Sequence, residues 1–255
     1  MLPASSSKSI SYPAWKVTAH NVWSHIYFML NKHKTSSLIK DQIAFLTPFS
    51  SEAILFAGFV KSGNTWLRFL IYNYFNVLYN KAEETLSYDK LNQMQPNALG
   101  DPIEFKAPRS PFPYLVRTHR HYSASLKVFS KGIYIYRNPL DTLVSSYHFH
   151  KNRDNPDFGN PAKTALLSNI DNFVKHNLVF WDVHVSSYIN SSNFHSIKYE
   201  DLLINPAIEL KSVLNYLGYI PNSEAIEKSI QLSSFNSLQQ MGRLKNQKSG
   251  NGGAQ

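Results

Sequence analysis

Cysteine is absent from the 255 residues, so there is no disulfide framework, no thiolate nucleophile and no thiolate-bound zinc or iron–sulfur site. That composition fits a reducing, cytoplasmic compartment. Charged residues are scarce at 17%, and the basic ones are scattered rather than gathered into a nucleic-acid tail. Long hydrophobic runs are missing too: the longest, Ala53 to Val60, falls far short of the roughly 20 residues of a membrane span. Met1 to Tyr12 is Ser-rich, without a basic start and an apolar run behind it, and reads as a loose tail instead of a secretory signal. No repeat occurs at solenoid periods.

What is present is apolar bulk. Hydrophobic residues make up 43%, with 16 Phe, 15 Tyr and 4 Trp, enough to offset chain entropy over a sizeable core and to exclude global disorder. The length allows one large domain or two small ones. A formal charge of +9 attracts polyanions, whether nucleic acid, acidic membrane or a phosphorylated small molecule.

Four short apolar runs read as buried strands: Ile54 to Val60, Tyr114 to Thr118, Gly132 to Tyr136 and Phe194 to Tyr199. After the first, Trp66, Leu67, Phe69, Leu70, Tyr74, Val77 and Leu78 recur at helical intervals and mark one apolar face. After the third, Asn138 caps a helix with Pro139 at its first position and Asp141 in its first turn. A further helix starts at Asn205 and Pro206 and stops at Gly218. Strands alternating with helices predict a single α/β domain with a mainly parallel central sheet flanked by helices. The expected organisation is an N-terminal tail and helical segment over 1–45, the α/β domain over 46–245 and a Gly-rich end over 246–255. The Lys81 to Pro113 insert carries little periodicity and reads as loops around a site.

Two strand-to-helix junctions carry the chemistry. Lys61-Ser62-Gly63-Asn64-Thr65-Trp66 joins the first strand to its helix. A glycine-bearing turn can aim backbone N–H groups at an anion, the helix start adds its dipole, and lysine adds a mobile cation. The order differs from the GxxxxGK[ST] nucleotide loop, which disfavours a magnesium nucleotide. At the second junction, Arg137 stands at the carboxyl end of a strand and Ser145 on the following helix. Ligands of parallel sheets bind along that edge, where an arginine fork suits phosphate. Each junction taken alone is equally an ordinary βα turn or an arginine paired with a carboxylate.

Taken together and in order, these elements resemble the cytosolic-type sulfotransferase family, whose members use 3′-phosphoadenosine 5′-phosphosulfate (PAPS). Phe59 to Trp66 is similar to the family's 5′-phosphosulfate loop, and Tyr136-Arg137-Asn138-Pro139 through Ser145-Ser146-Tyr147 to its 3′-phosphate motif. Arg117-Thr118-His119 looks like the Lys-Ser/Thr-His stretch, Lys198 to Leu202 like the Tyr-Glu-Asp-Leu element, and Ser233-Ser234-Phe235 like the adenine-contacting segment. The resemblance runs over about residues 50 to 240. Val60, Asn64 and Arg117 stand where the family usually has proline, threonine and lysine. Its C-terminal Arg-Lys-Gly element is not found, and the chain is expected either to be truncated or incompletely represented near its Gly-rich end or to be a short variant with a weaker 3′-phosphate site.

The resemblance implies sulfuryl transfer from PAPS to a hydroxyl or amine of a small-molecule acceptor, with no metal, no nucleic acid and no membrane span. It implies that His119 is the base and that Lys61 holds the bridging oxygen. It implies that Ser62, Gly63, Asn64 and Thr65 cradle the 5′-phosphate, that Arg137 and Ser145 grip the 3′-phosphate, and that Arg117 belongs to the cofactor-binding set. Trp66, Tyr199, Ser233 and Phe235 then border the adenine, and Phe149 lies near the acceptor, with Trp23 to Leu30 and the Lys81 to Pro113 insert as further walls. A metal reading of His119 with His121, or of His148 with His150, lacks a third ligand, and the second pair sits at i and i+2 of a helix. Two alternatives stand beside this reading: a non-enzymatic polyanion-binding module and a P-loop-like small-molecule kinase.

Overall fold

The computed structural model describes residues 40–239 apart from 41, 45, 48–49, 81–84, 99–111 and 152–166. The chain divides into two compact units, Met1–Phe45 and Leu46–Gln255. In the first, residues 40 and 42–44 are helical; the expected acceptor-side segment Trp23 to Leu30 lies outside the described residues, as does the Gly-rich end.

In the second unit, β1 (Ile54–Gly58), β2 (Leu115–Thr118), β3 (Gly132–Tyr136) and β4 (Phe194–Lys198) form one sheet in the order β2-β1-β3-β4. Every pairing is parallel, with Phe56 opposite Arg117 and Ile133, and Tyr136 opposite Lys198. The pleat sends alternate residues to opposite faces. Phe56, Leu115, Ile133, Ile135 and Ile197 enter one core. Leu55, Ala57, Val116 and Tyr134 enter the other. Both faces are covered, as a parallel sheet requires.

The helices are α1 (Asn64–Asn80), α2 (Tyr88–Met94), α3 (Pro139–Lys151), α4 (Ile170–Ile189), α5 (Tyr199–Ile204), α6 (Pro206–Leu217) and α7 (Ser223–Leu232), with a 3-10 turn at Ala124–Val128. The caps follow the sequence. Asn138 Oδ1 accepts from the amide of Leu140 at 2.9 Å, and Gly218 closes α6 in the left-handed region at φ 91°. Asn205 precedes α6, yet its side chain makes no capping bond, so Pro206 alone marks that start.

Three expectations need correction. Residues 67–76 of α1 are buried all round, not on one face, because α7 packs along this helix as well as the sheet. The 81–113 insert is not wholly loop: Ser87 caps α2 by accepting from the Lys90 amide at 3.2 Å, and Asn97 bridges to Arg117 beside β2. Tyr199 opens α5 instead of ending β4.

Candidate active site

All four strands end at one edge of the sheet, where the loops after β1, β2 and β3 meet. The loop after β1 runs Phe59-Val60-Lys61-Ser62-Gly63. Lys61 has φ 67° and Gly63 φ 97°, flanking Ser62 with left-handed residues, the alternation that gathers successive backbone N–H groups into an anion-binding concavity. A lysine in that region is strained, and such strain persists where the surroundings fix it. They do so here: the Ser62 amide donates to the Phe59 carbonyl at 3.2 Å, and Asn64 Nδ2 donates to the same carbonyl at 2.8 Å. A Cβ on Gly63 would run into the Tyr199 ring. Ser62 Oγ and Asn64 Oδ1 are buried without a hydrogen-bond partner. Asn64 thus braces the loop from within, while Thr65 is half-buried in the first turn of α1.

The loop after β3 brings a second cation to the same place. The Arg137 guanidinium lies 4.5 Å from the centroid of the Tyr199 ring, and its Nε is buried without a hydrogen bond. Tyr199 in turn meets Trp66 edge-on at 5.9 Å between centroids. Trp66, Gly63, Tyr199 and Arg137 are therefore one cluster drawn from three separate segments of the chain. Lys61 belongs to it electrostatically: burial first, and then the charge of Arg137, lower its pKa. Two cations that repel each other, with orphaned polar atoms beside them, make a site built for an anion.

The loop after β2 supplies the histidine. His119 Nδ1 is 2.8 Å from the Gly58 carbonyl. A carbonyl only accepts, so Nδ1 carries the proton and Nε2 keeps its lone pair. The residue is exposed at its surface, yet protein crowds the ring enough to lower its pKa. Burial is the first cause, the bond to Gly58 works against it, and the charges of Arg117 and Arg68 add to the lowering. Arg117 Nε donates to the Gln95 carbonyl at 3.1 Å, and its backbone receives the Ala98 amide at 2.7 Å, so this arginine also ties the α2 segment to β2.

The remaining expected residues are less gathered. Phe149, 40% exposed on α3, lies under the Lys61 ammonium at 4.6 Å. Ser145 is half-buried on α3 with no side-chain partner among the described residues. Ser233 is fully buried and accepts from Asn73 Nδ2 of α1 at 2.9 Å. Phe235 is 76% exposed and joins no ring cluster among the described residues. An apolar cavity lies behind Phe59 and Val60, walled by Leu143, Ser146 and Phe173.

Sequence reasoning missed several supports. Glu200 Oε1 accepts the Asn138 amide at 2.9 Å, which locks the Arg137 junction to the start of α5; its place in the Tyr199-Glu200-Asp201 run was the available signal. Helix α4 holds the segment after His119: Tyr188 donates to the Arg120 carbonyl at 2.8 Å, and Ser187 Oγ accepts the Tyr122 amide at 2.9 Å. His184 sits beside them, buried among Phe59, Tyr134 and Tyr188, with Nδ1 3.1 Å from the Tyr134 hydroxyl. No sequence signal links these distant residues. Among the described residues no group of three His, Cys, Asp or Glu is placed to hold a metal ion, and no helix is long and apolar enough to cross a membrane.

Known proteins resemble this chain in sequence and fold. Sulfotransferase 6B1 of Mus musculus is 27% identical over 72% of this chain and 61% of its own length. Sulfotransferase 1B1 of Canis lupus familiaris is 29% identical over 71% of this chain and 64% of its own. The chain thus spans just under two thirds of these relatives. A crystal structure of mouse sulfotransferase SULT7A1 complexed with PAP superposes with a TM-score of 0.55 at 25% identity, covering 78% of this chain and 70% of that one. The family model described as the sulfotransferase domain matches residues 51–253, a span that holds both cationic loops and the histidine between them, and on that match the chain belongs to the sulfotransferase domain family.

Proposed function

We propose that the protein transfers a sulfuryl group from PAPS to a hydroxyl or amine of a small molecule, acting in the cytoplasm and without metal or nucleic acid. The observation that carries this reading is the pair of cations, Lys61 and Arg137, on separate loops of one sheet edge, neither paired with a carboxylate among the described residues. A donor with phosphates on both sides of its ribose needs two anion stations. The orphaned Ser62 Oγ and Arg137 Nε are the kind of groups such a donor satisfies.

In this reading the loop of Lys61, Ser62, Gly63, Asn64 and Thr65 takes the 5′ side, and Arg117 belongs to the donor site. Arg137 and Ser145 take the 3′-phosphate, and Trp66, Tyr199, Ser233 and Phe235 border the base. His119 Nε2 accepts the acceptor proton as the new S–O or S–N bond forms. The old S–O bond breaks toward the phosphate, which keeps the electron pair, and Lys61 offsets the added charge. The mouse structure complexed with PAP supports the choice of nucleotide. The absence of cysteine is in keeping with a reducing compartment. The organisation into a 1–45 segment on the acceptor side, a 46–245 transferase domain and a Gly-rich 246–255 end is part of the same proposal.

The test is thermal stability with adenosine 3′,5′-bisphosphate against AMP. A ligand that binds the folded state raises the melting temperature, and the bisphosphate is expected to do so at far lower concentration. Equal effects of the two nucleotides, together with a steep salt dependence on long polyanions, would favour the polyanion-binding module.

A further inference from the structure

Arg68 lies one turn into α1, between the buried Leu67 and Phe69, and only 5% of its surface is exposed. Burying a guanidinium costs several kcal/mol unless an opposite charge compensates, and none does among the described residues. Its Nε donates to Gln95 Oε1, and one Nη2 hydrogen goes to Asn92 Oδ1 at 2.9 Å. Both acceptors are neutral amides, and Nη1 makes no hydrogen bond to a described residue. Arg117 reaches the same place from β2 through the Gln95 carbonyl. Both arginines are felt at the His119 ring, so the two guanidiniums and the histidine share one electropositive neighbourhood on the β2 side of the sheet edge. Arg137 and Lys61 interact with each other on the β1 and β3 loops, which leaves Arg68 outside the two donor stations.

We infer that Arg68 binds an anionic group on the acceptor, so that the preferred acceptor is a small hydroxyl compound bearing a carboxylate or similar negative head group. This rests on the transferase reading above. Gln95 and Asn92 hold the guanidinium in one orientation, and Nη1, which no described residue engages, is the position for the ligand. Such a head group also offsets the positive field that disfavours proton uptake by His119. The insulation of Arg68 from bulk water makes the recognition selective: a neutral isostere leaves the buried charge uncompensated.

The test uses two probes of similar shape, 4-hydroxyphenylacetate and 4-ethylphenol, titrated calorimetrically into the full chain. The carboxylate is expected to bind more tightly by about tenfold or more. Arg68→Met should bring the two affinities together, and Arg68→Lys should keep part of the difference, while the affinity for adenosine 3′,5′-bisphosphate stays unchanged in both variants. Equal affinities in the unaltered protein, tighter binding of 4-ethylphenol, or binding of neither would overturn the inference. That comparison needs no variant, so a misfolded Arg68→Met leaves it decisive. Failure of the bisphosphate to bind alongside a clear carboxylate preference would sink the transferase reading and leave the anion site standing.

Discussion

The ammonium of Lys61 rests 4.6 Å from the centroid of the Phe149 ring, joining the loop after β1 to α3 across the sheet edge. Lysine has four rotatable bonds, and this contact together with its left-handed backbone narrows where the charge can be. A cation over a ring is worth about 0.5–1 kcal/mol where solvent has access. Phe149→Ala should therefore lower turnover by roughly 2- to 5-fold, and Phe149→Tyr, which keeps a ring face, should restore most of it. Steady-state kinetics at saturating donor measures both; equal losses in the two variants would break the link between the ring and the lysine.

Gly63 faces Tyr199 with no room for a side chain, at a φ of 97° that other residues rarely adopt. Gly63→Ala must push the ring away and distort the turn, at a cost of about 1–3 kcal/mol. Because Tyr199 also lies under Arg137, the damage should reach both cationic loops. Bisphosphate binding is expected to weaken more than the loss of folding stability alone accounts for, which calorimetry and urea denaturation on one sample will separate.

The parallel sheet was legible because fully buried strands are short apolar runs with clear ends, and all four lie within two residues of their expected limits. The two cationic loops were legible because their residues are contiguous. Helix α2 was hidden because Leu91 is its one fully buried residue, which leaves no period to detect. Helix α4 was hidden for a related reason: Phe180 and Val183 face solvent while His184 is buried, so its apolar pattern is broken. Arg68 was invisible because a charge flanked by Leu67 and Phe69 reads as the polar side of a helix. Only the approach of Gln95 and Asn92, far along the chain, shows that it is buried.

Arg137→Ala should weaken binding of adenosine 3′,5′-bisphosphate far more than binding of AMP. The guanidinium is fixed by the Tyr199 ring and by the Asn138 amide anchored on Glu200, so its Nε, buried without a partner, has one place to act. Loss of a charged hydrogen bond is worth about 1.5–3 kcal/mol, or roughly 10- to 150-fold in affinity. An equal loss for both nucleotides would remove Arg137 from the 3′-phosphate.

His184 ties stability to pH. Burial, followed by the neighbouring His119 and His121, holds its pKa down at about 3, whereas the unfolded chain takes up that proton near 6.5. The folded value is depressed, so the stabilisation is complete above about pH 6.5 and is lost as pH falls toward 3. The slope from this group approaches about 1.4 kcal/mol per pH unit well inside that window. Urea denaturation between pH 7 and pH 4 should show the decline, and His184→Phe should flatten it; an unchanged slope would place the sensitivity elsewhere.

The last test concerns the proposed base. His119 donates from Nδ1 to the Gly58 carbonyl, which turns Nε2 outward with a free lone pair, and its lowered pKa keeps that lone pair available at neutral pH. The sign follows directly: kcat/KM should rise as pH climbs through an ionisation below about 6.5 and level off above it. Arg117→Met removes a positive neighbour that lowers this pKa, so the rising limb should move to higher pH. His119→Ala should erase the limb and reduce turnover by about 10²- to 10⁴-fold, the scale for a positioned general base, while bisphosphate affinity survives because the two cationic loops are untouched. His119→Gln tests the proton directly, since an amide can still donate to Gly58 but is far too weak a base to take the acceptor proton; it should be as slow as the alanine variant. Near-normal turnover of an unactivated alcohol by either variant would refute the assignment and shift the proton to solvent or to an acceptor acidic enough to lose it unaided.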